Sequence, residues 1–456
     1  MSGIKQKHKN EIDMINGPLL SKIVAFTIPV MFSSILQLLF NAADIIVVGK
    51  YAGDESLAAV GSTSSLINLL TNLFIGLSVG SNVLVAQYVG AGEKERISRT
   101  VHTSILLSVI CGIFLTVVGF MASRPMLSLM GSPYDVIDLA SLYLKIYFLG
   151  MPAMLFYNFG AAMLRAVGDT KNPLVFLTVA GFINVILNLV FVICFSMGVA
   201  GVGIATVVSQ YISALLVFGL FVKSDGPLKA DIKALRIDSA ILKRIVKIGI
   251  PAGFQGTIFS LSNVVIQSTV NSFGSRVIAG NSAAMNIEGF VYVAMNSVHQ
   301  AAITFTGQNY GAGRKDRILK VNLLCLLLVT ATGLVFGNAA YLFGRSLLRI
   351  YTDSEQVVAY GMDRVKIICT VYFLCGIMDV MVGSLRGIGR AVLPMIVSIL
   401  GACGLRLLYI ATVYRLNPTT TMLYLAYPIS WTITFLVHVI CFVIAFRKLD
   451  LGKKEN

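Results

Sequence analysis

Charge is scarce in this chain. Asp, Glu, Lys and Arg make up 12% of its 456 residues, against about 25% in soluble globular proteins. So few ionised side chains cannot cover a water-facing surface, and most of the length therefore belongs in lipid. Histidine is rarer still, with four residues, and there is no His-rich box or metal-ligand spacing. That removes the usual chemistry of a polytopic membrane enzyme, and the chain does not read as an enzyme. The seven cysteines (Cys111, Cys194, Cys325, Cys369, Cys375, Cys403 and Cys441) all fall in apolar stretches. They read as small hydrophobes, and no disulfide framework is expected. No G-x-x-x-x-G-K-[ST] occurs. Gly90-Ala91-Gly92 and Gly311-Ala312-Gly313 lack the third glycine and the βαβ context of a dinucleotide fingerprint. No cofactor is expected, and a pump built on this chain runs on an ion gradient or on a separate subunit. Residues 1–18 are polar, without the apolar core of a signal peptide, so the first apolar segment is expected to stay as an anchor.

Hydrophobic residues account for 56% of the chain. They gather into runs long enough to cross about 30 Å of hydrocarbon. Twelve such spans are read at roughly 20–48, 56–84, 101–122, 137–163, 173–196, 201–222, 246–271, 278–304, 321–343, 357–384, 392–414 and 421–446. The 41 glycines suit close helix approach in lipid.

The chain is also duplicated. Ile23-Val24 and Ile28-Pro29 recur as Ile245-Val246 and Ile250-Pro251, and Asn41 falls on Asn263, at an offset of 222. Gly90-Ala91-Gly92-x-Lys94-x-Arg96-Ile97 recurs as Gly311-Ala312-Gly313-x-Lys315-x-Arg317-Ile318, now at 221. The same 221 carries Leu164-Arg165 onto Leu385-Arg386, Gly168 onto Gly389 and Pro173 onto Pro394. Six spans per copy is an even number, so both copies enter the membrane from the same side. The expected fold is an all-α membrane protein of twelve transmembrane helices, in two six-helix lobes related by a pseudo-twofold along the membrane normal. The lobes are read as residues 19–222 and 245–446, with a linker at 223–244 and tails at 1–18 and 447–456. Pro29 and Pro251, at equivalent places, predict bends in spans 1 and 7.

The net charge of +15 raises the question of nucleic acid. Its distribution answers it. With the N-terminus in the cytoplasm, 26 of the 36 Lys and Arg fall on the inner side, including Lys5, Lys7, Lys9, seven over residues 223–247 and four at the C-terminus. This is the positive-inside pattern. Both termini and the linker are expected to be cytoplasmic, in a bacterial-type inner membrane, with the lipid bilayer as partner and no nucleic acid. A monomer is expected.

Of 21 acidic residues, three lie deep in spans: Asp44, Glu288 and Asp379. A carboxylate there costs on the order of 3 kcal/mol and needs a polar partner, water or an ion. Gln37, Asn41 and Asp44 share one helix face by their i, i+4, i+7 spacing, as do Asn184 and Asn188. Counting 1.5 Å per residue from the outer ends of spans 1, 5 and 6 puts Asp44, Asn188 and Thr206 at similar depth, roughly 8–12 Å below the surface. Oxygens from three helices at one level suit a hard cation such as Na⁺, or a proton. The second copy has no such set: Gln37, Asp44, Asn184 and Asn188 become Phe259, Ile266, Leu405 and Tyr409. Ion coupling is therefore expected in the first lobe. The second lobe carries Glu288, Asp379 (counterpart of Asn158) and Arg406, read as the only Arg deep in a span and as a partner for either acid. These three serve as structural pairs or as substrate contacts. His299 and His438 read as hydrogen-bonded packing residues.

Gln37-x-x-x-Asn41-x-x-Asp44 with Val48-Gly49, Gln87-x-x-Gly90-Ala91-Gly92 and its copy at Gln308, Leu164-Arg165-Ala166-x-Gly168-Asp169-Thr170, Ser384-Leu385-Arg386-Gly387-x-Gly389 and Asn184-x-x-x-Asn188 together resemble the multidrug and toxic compound extrusion (MATE) family. The resemblance spans about residues 20–446. It implies two six-helix lobes around a central cavity, and efflux of bulky, amphipathic, often cationic drugs in antiport with Na⁺ or H⁺. It also implies that Asp44 is the family's first-span acid, with Asn184, Asn188 and Thr206 at positions resembling its ion site. Some members carry Asp in place of the second Asn. Some also carry an acid in span 7, where this chain reads Phe254-Gln255-Gly256-Thr257-Ile258-Phe259. A second cation site of that type is not expected. Phe40, Tyr157 and Phe259 are the aromatics expected near the cavity, beside Asn158, Asp379, Glu288 and Arg406. A lipid or glycan-carrier flippase of similar architecture is the alternative, and it calls for a basic cavity lining that this sequence scarcely supplies.

Overall fold

The structure is a computed structural model and describes residues 10–130 and 133–449. The basic residues Lys5, Lys7, Lys9, Lys453 and Lys454 counted above lie outside them. Among the described residues the regular secondary structure is all helical, and twelve long helical segments follow one another. The first six are α1 (Leu19–Tyr51), α2 (Asp54–Ala91), α3 (Lys94–Leu129), α4 (Tyr134–Leu149 and Met151–Ala166), α5 (Lys171–Leu189, extended by a π turn over Val190–Cys194) and α6 (Gly198–Lys223). The second six are α7 (Ser239–Asn271), α8 (Ser275–Gly311), α9 (Lys315–Leu342), α10 (Glu355–Cys369 and Phe373–Gly387), α11 (Val392–Ser398 through the π segment Ile399–Leu405 to Arg406–Ala411) and α12 (Thr420–Arg447).

Eight of these segments are apolar and long enough to cross a membrane unbroken, and α4 and α10 qualify as bent pairs, turning by 49° and 45°. In α4 the bend falls at Gly150-Met151-Pro152, where the proline withholds a backbone donor. In α10 it falls at Thr370–Tyr372 without a proline. The remaining two, α7 and α8, are 33 and 37 residues long but less apolar. Many of their polar side chains are turned inward: Gln255 and Ser262 on α7, and Asn281, Glu288, His299, Thr304, Thr306, Gln308 and Asn309 on α8, are buried. The chain is a multi-pass membrane protein.

The two Gly-Ala-Gly repeats are helix stops. Gly92 and Gly313 sit at φ +73° and +69°, where a side chain is strained, and Gly92 N–H closes back on the Tyr88 and Val89 carbonyls at the end of α2.

The helices form two compact units, and the dividing points lie inside helices rather than in the linker. One unit contains Phe32–Gly253; the other contains Asp13–Met31 and the chain from Phe254 on. Phe32 and Phe254 are repeat equivalents at an offset of 222, each three residues beyond Pro29 or Pro251. The opening half of α7 thus belongs with the first six helices, and the opening half of α1 with the last six.

In the first unit, α2 and the opening of α7 meet through glycine. A Cβ on Gly76 would lie 2.2 Å from Gly253 N, and one on Gly80 would lie 2.4 Å from Ile245 O. Two small-xxx-small stripes therefore touch backbone to backbone. Tyr88 accepts from Arg244 at 2.9 Å beside this contact. The core is filled by Phe148, Phe159, Phe221, Leu84 and Leu115, all buried. In the second unit the opening of α1 packs Phe26 edge-on against Phe305, ring centroids 5.6 Å apart. Asn309 Nδ2 donates to the Met14 carbonyl at 3.1 Å.

Candidate functional site

In the first unit, α1, α5 and α6 bring together four of the polar residues singled out from the sequence. Asn188 Nδ2 donates to Asp44 Oδ1 and also reaches Asn184 Oδ1 at 3.3 Å. Asn184 and Asn188 are both buried. The Thr206 hydroxyl faces the same carboxylate while donating to the Val202 carbonyl at 2.9 Å. No cationic side chain pairs with Asp44 among the described residues; its partners are neutral amides and a hydroxyl.

The register of this cluster is set one turn away. The ring of Phe40 seats against Gly181, where a Cβ would lie 1.9 Å from the ring, and meets Phe182 edge-on at 6.1 Å. Phe40 and Asp44 are i, i+4 on α1; Gly181, Asn184 and Asn188 are i, i+3, i+7 on α5. Seating the ring therefore brings the carboxylate level with the amides.

The cluster is rich in acceptors. Asn188 Oδ1 is buried without a donor, as is Gln210 Oε1 one turn beyond Thr206 on α6. A buried carbonyl left unpaired costs about 1–3 kcal/mol. A cation answers that deficit with the oxygens of Asp44, Asn184, Asn188 and Thr206, the ligand class that Na⁺ prefers. A proton on Asp44 supplies a donor instead. Among the described residues no three His, Cys, Asp or Glu gather as for a transition metal.

Gln210 is not among the residues the sequence singles out. Nor are Tyr143 and Tyr147 of α4, which lie near enough to feel the Asp44 charge. The signal for Gln210 was present, since it follows Thr206 at i+4. Gln37 and Asn41, expected beside Asp44, are exposed and make no hydrogen bond to it.

The residues expected to line a substrate cavity are mostly engaged in packing. Tyr157 OH donates to the Pro173 carbonyl at 3.1 Å, tying α4 to the first turn of α5. Asn158 Nδ2 turns back to Met154 O at 2.8 Å. In the second unit Phe259 packs against a core that holds Trp431 and Met378.

Glu288 corrects the expected pairing. It is held by Arg364, not Arg406, through Nε and Nη2 at 2.7 Å each, and Arg364 Nη1 also donates to Asn281 at 2.8 Å. Arg364, nearer the end of its apolar run than Arg406, is nonetheless buried, at 3% exposed. Arg406 partners neither acid. Its guanidinium lies 4.1 Å from the Tyr427 ring centroid and 3.4 Å from Ser430 Oγ. The reason is geometric: Arg364 stands in the first limb of bent α10, against α8, whereas Arg406 follows the π segment of α11 and faces α12. Asp379 lies near Arg386 and Tyr292, and Arg386 itself donates to Gln255 at 2.9 Å. His299 Nδ1 meets the Asp379 carbonyl at 2.5 Å and His438 Nε2 meets Ser398 Oγ at 3.0 Å, both packing contacts. Asn263, Gln267, Glu288, Tyr292, Arg364 and Tyr427 border a cavity of about 190 Å³ in this unit.

A family model described as MatE matches the chain twice, over residues 29–190 and 251–412. The two matches are displaced by 222, the repeat offset found in the sequence. The probable multidrug resistance protein YpnP of Bacillus subtilis is 28% identical, over 86% of this chain and 88% of that one. The probable multidrug resistance protein NorM of Thermotoga maritima is 25% identical, over 85% and 84%. A solved structure described as the outward-facing conformation of a multidrug resistance MATE family transporter of the MOP superfamily superimposes with a TM-score of 0.91 at 23% identity, covering 98% of this chain and 100% of that one. A duplicated twelve-helix membrane fold, and a family model that fits each copy in turn, make this chain a member of the MATE transporter family.

Proposed function

We propose that this protein is a secondary active exporter of amphipathic, often cationic compounds, exchanging them for Na⁺ or H⁺ at Asp44. One observation supports this most: a carboxylate inside the first unit that has neutral oxygen-bearing partners and, among the described residues, no counter-charge. Loading it with a cation or proton removes a net charge from the membrane interior, and unloading restores that charge. The two states favour different packings of α1 against α5 and α6. An ion and a substrate that prefer opposite packings exchange by displacing one another's equilibrium. The excess of Lys and Arg on one face supports cytoplasmic termini in a cell membrane.

Reconstitution into proteoliposomes tests this. With a Na⁺ gradient and a pH gradient imposed separately, one of them drives accumulation of a cationic dye. Asp44→Asn is expected to lower that uptake at least tenfold while expression and thermal stability in detergent stay near wild type. Unchanged uptake in Asp44→Asn removes the coupling role from this residue.

A further inference from the structure

Duplication supplies an internal control for the charges at the start of α3 and α9. In the first copy the protein neutralises its own cations. Arg96 pairs with Glu93 at 3.0 Å, and Arg99 pairs with Glu95 at 2.5 Å and with Asp238 at 3.5 Å. At the offset of 221, Arg96 and Arg99 become Arg317 and Lys320. Their acids do not follow. Glu93 becomes Arg314, and Asp316, the counterpart of Glu95, is taken by that Arg314 at 3.4 Å. Among the described residues no carboxylate pairs with Arg317 or Lys320. Arg317 gives one bond to the Gly17 carbonyl at 3.1 Å, and its Nε is buried with no partner.

These two cations open onto a groove of about 450 Å³ bounded by Gly17, Leu19, Arg317, Lys320, Leu323 and Leu324. Positions 317, 320 and 324 follow one face of α9, so about 10 Å separates the charged end from the leucine floor. Leu319, Leu323 and Leu327 continue from it as a stripe 41%, 56% and 64% exposed, which in a membrane protein is surface that meets lipid. Positive charge at the membrane boundary with leucine beneath it follows the polarity of one phospholipid, headgroup first and acyl chain next.

We propose that this groove binds an anionic phospholipid, its phosphate between Arg317 and Lys320 and the upper part of an acyl chain along Leu323 and Leu324. The lipid supplies the counter-charge that Glu93, Glu95 and Asp238 supply in the first copy. A free phosphate answers the cations but makes no use of the leucines beside them. Because Arg317 also holds Gly17, the bound lipid braces α9 against the residues that lead into α1.

The test uses the full chain. Native mass spectrometry after exchange into mixed micelles compares retention of phosphatidylglycerol with that of phosphatidylcholine bearing the same acyl chains. Thermal unfolding with sodium phosphate serves as the lipid-free arm. Phosphatidylglycerol is expected to be retained at least fivefold over phosphatidylcholine. Lys320→Gln, which removes no hydrogen bond or ion pair among the described residues, brings the two within twofold, and Arg99→Gln leaves the preference intact. Equal retention of the two lipids by the wild type, a preference that survives Lys320→Gln, or an equal loss in Arg99→Gln overturns the proposal. So does stabilisation by sodium phosphate that matches the lipid and disappears in Lys320→Gln, since it assigns the site to a free anion.

Discussion

Glu288 and Asp44 solve the same problem in opposite ways. Each is a carboxylate that lipid disfavours. Glu288 is compensated by a guanidinium through two hydrogen bonds, so it has little left to offer an ion. Asp44 is compensated only by dipoles, which leaves its charge available. Removing one member of a buried pair strands the other, at a cost of about 3–5 kcal/mol, whereas replacing both by apolar groups of similar volume is often neutral. Glu288→Met and Arg364→Met alone are therefore expected to lower the melting temperature sharply in detergent, and the double variant to recover most of the loss. If the double variant is as unstable as either single one, the pair does more than neutralise itself. The Asp44 cluster was legible in the sequence because helical spacing and depth from the loops are both arithmetic. The partner of Glu288 was not. Arg364 sits near the end of an apolar run, where counting inward from the loop places it at the surface; only the packing of bent α10 on α8 buries it.

At the scale of helices, small residues decide how closely neighbours approach. Gly181 is the socket for Phe40, and the socket fixes the height of Asp44 against Asn188. Gly181→Ala puts a methyl where the ring stands. Such overpacking costs about 1–3 kcal/mol, and the lost register should reduce gradient-driven dye uptake beyond what the drop in stability explains. Adding Phe40→Leu is expected to restore melting temperature toward wild type; a Gly181→Ala protein with normal stability and transport removes Phe40 from the positioning role. The number and order of spans could be read from hydropathy; Pro29 and Pro251, expected to bend spans 1 and 7, lie inside the unbroken helices α1 and α7. The bend of α10 could not, because no proline marks it. The weaker apolar signal of α7 and α8 has the same origin as their burial: polar side chains aimed at protein dilute a hydropathy average that assumes lipid all round.

For the whole molecule, the consequential feature is where the units divide. The sequence suggested a break at the 223–244 linker, since charge and Asp225-Gly226-Pro227 interrupt the apolar pattern there. The compact units instead exchange the opening halves of α1 and α7, which no local pattern announces. A chain cut at residue 230 should therefore yield fragments that are degraded when expressed singly and accumulate when expressed together, read by immunoblot of membranes. A 1–230 fragment that survives alone as a monodisperse species counts against the exchange. A half-length polypeptide built on this plan completes its compact unit only with the opening half-helix of a second copy. Carrying both copies on one polypeptide makes that contribution intramolecular, so completing either unit does not depend on protein concentration.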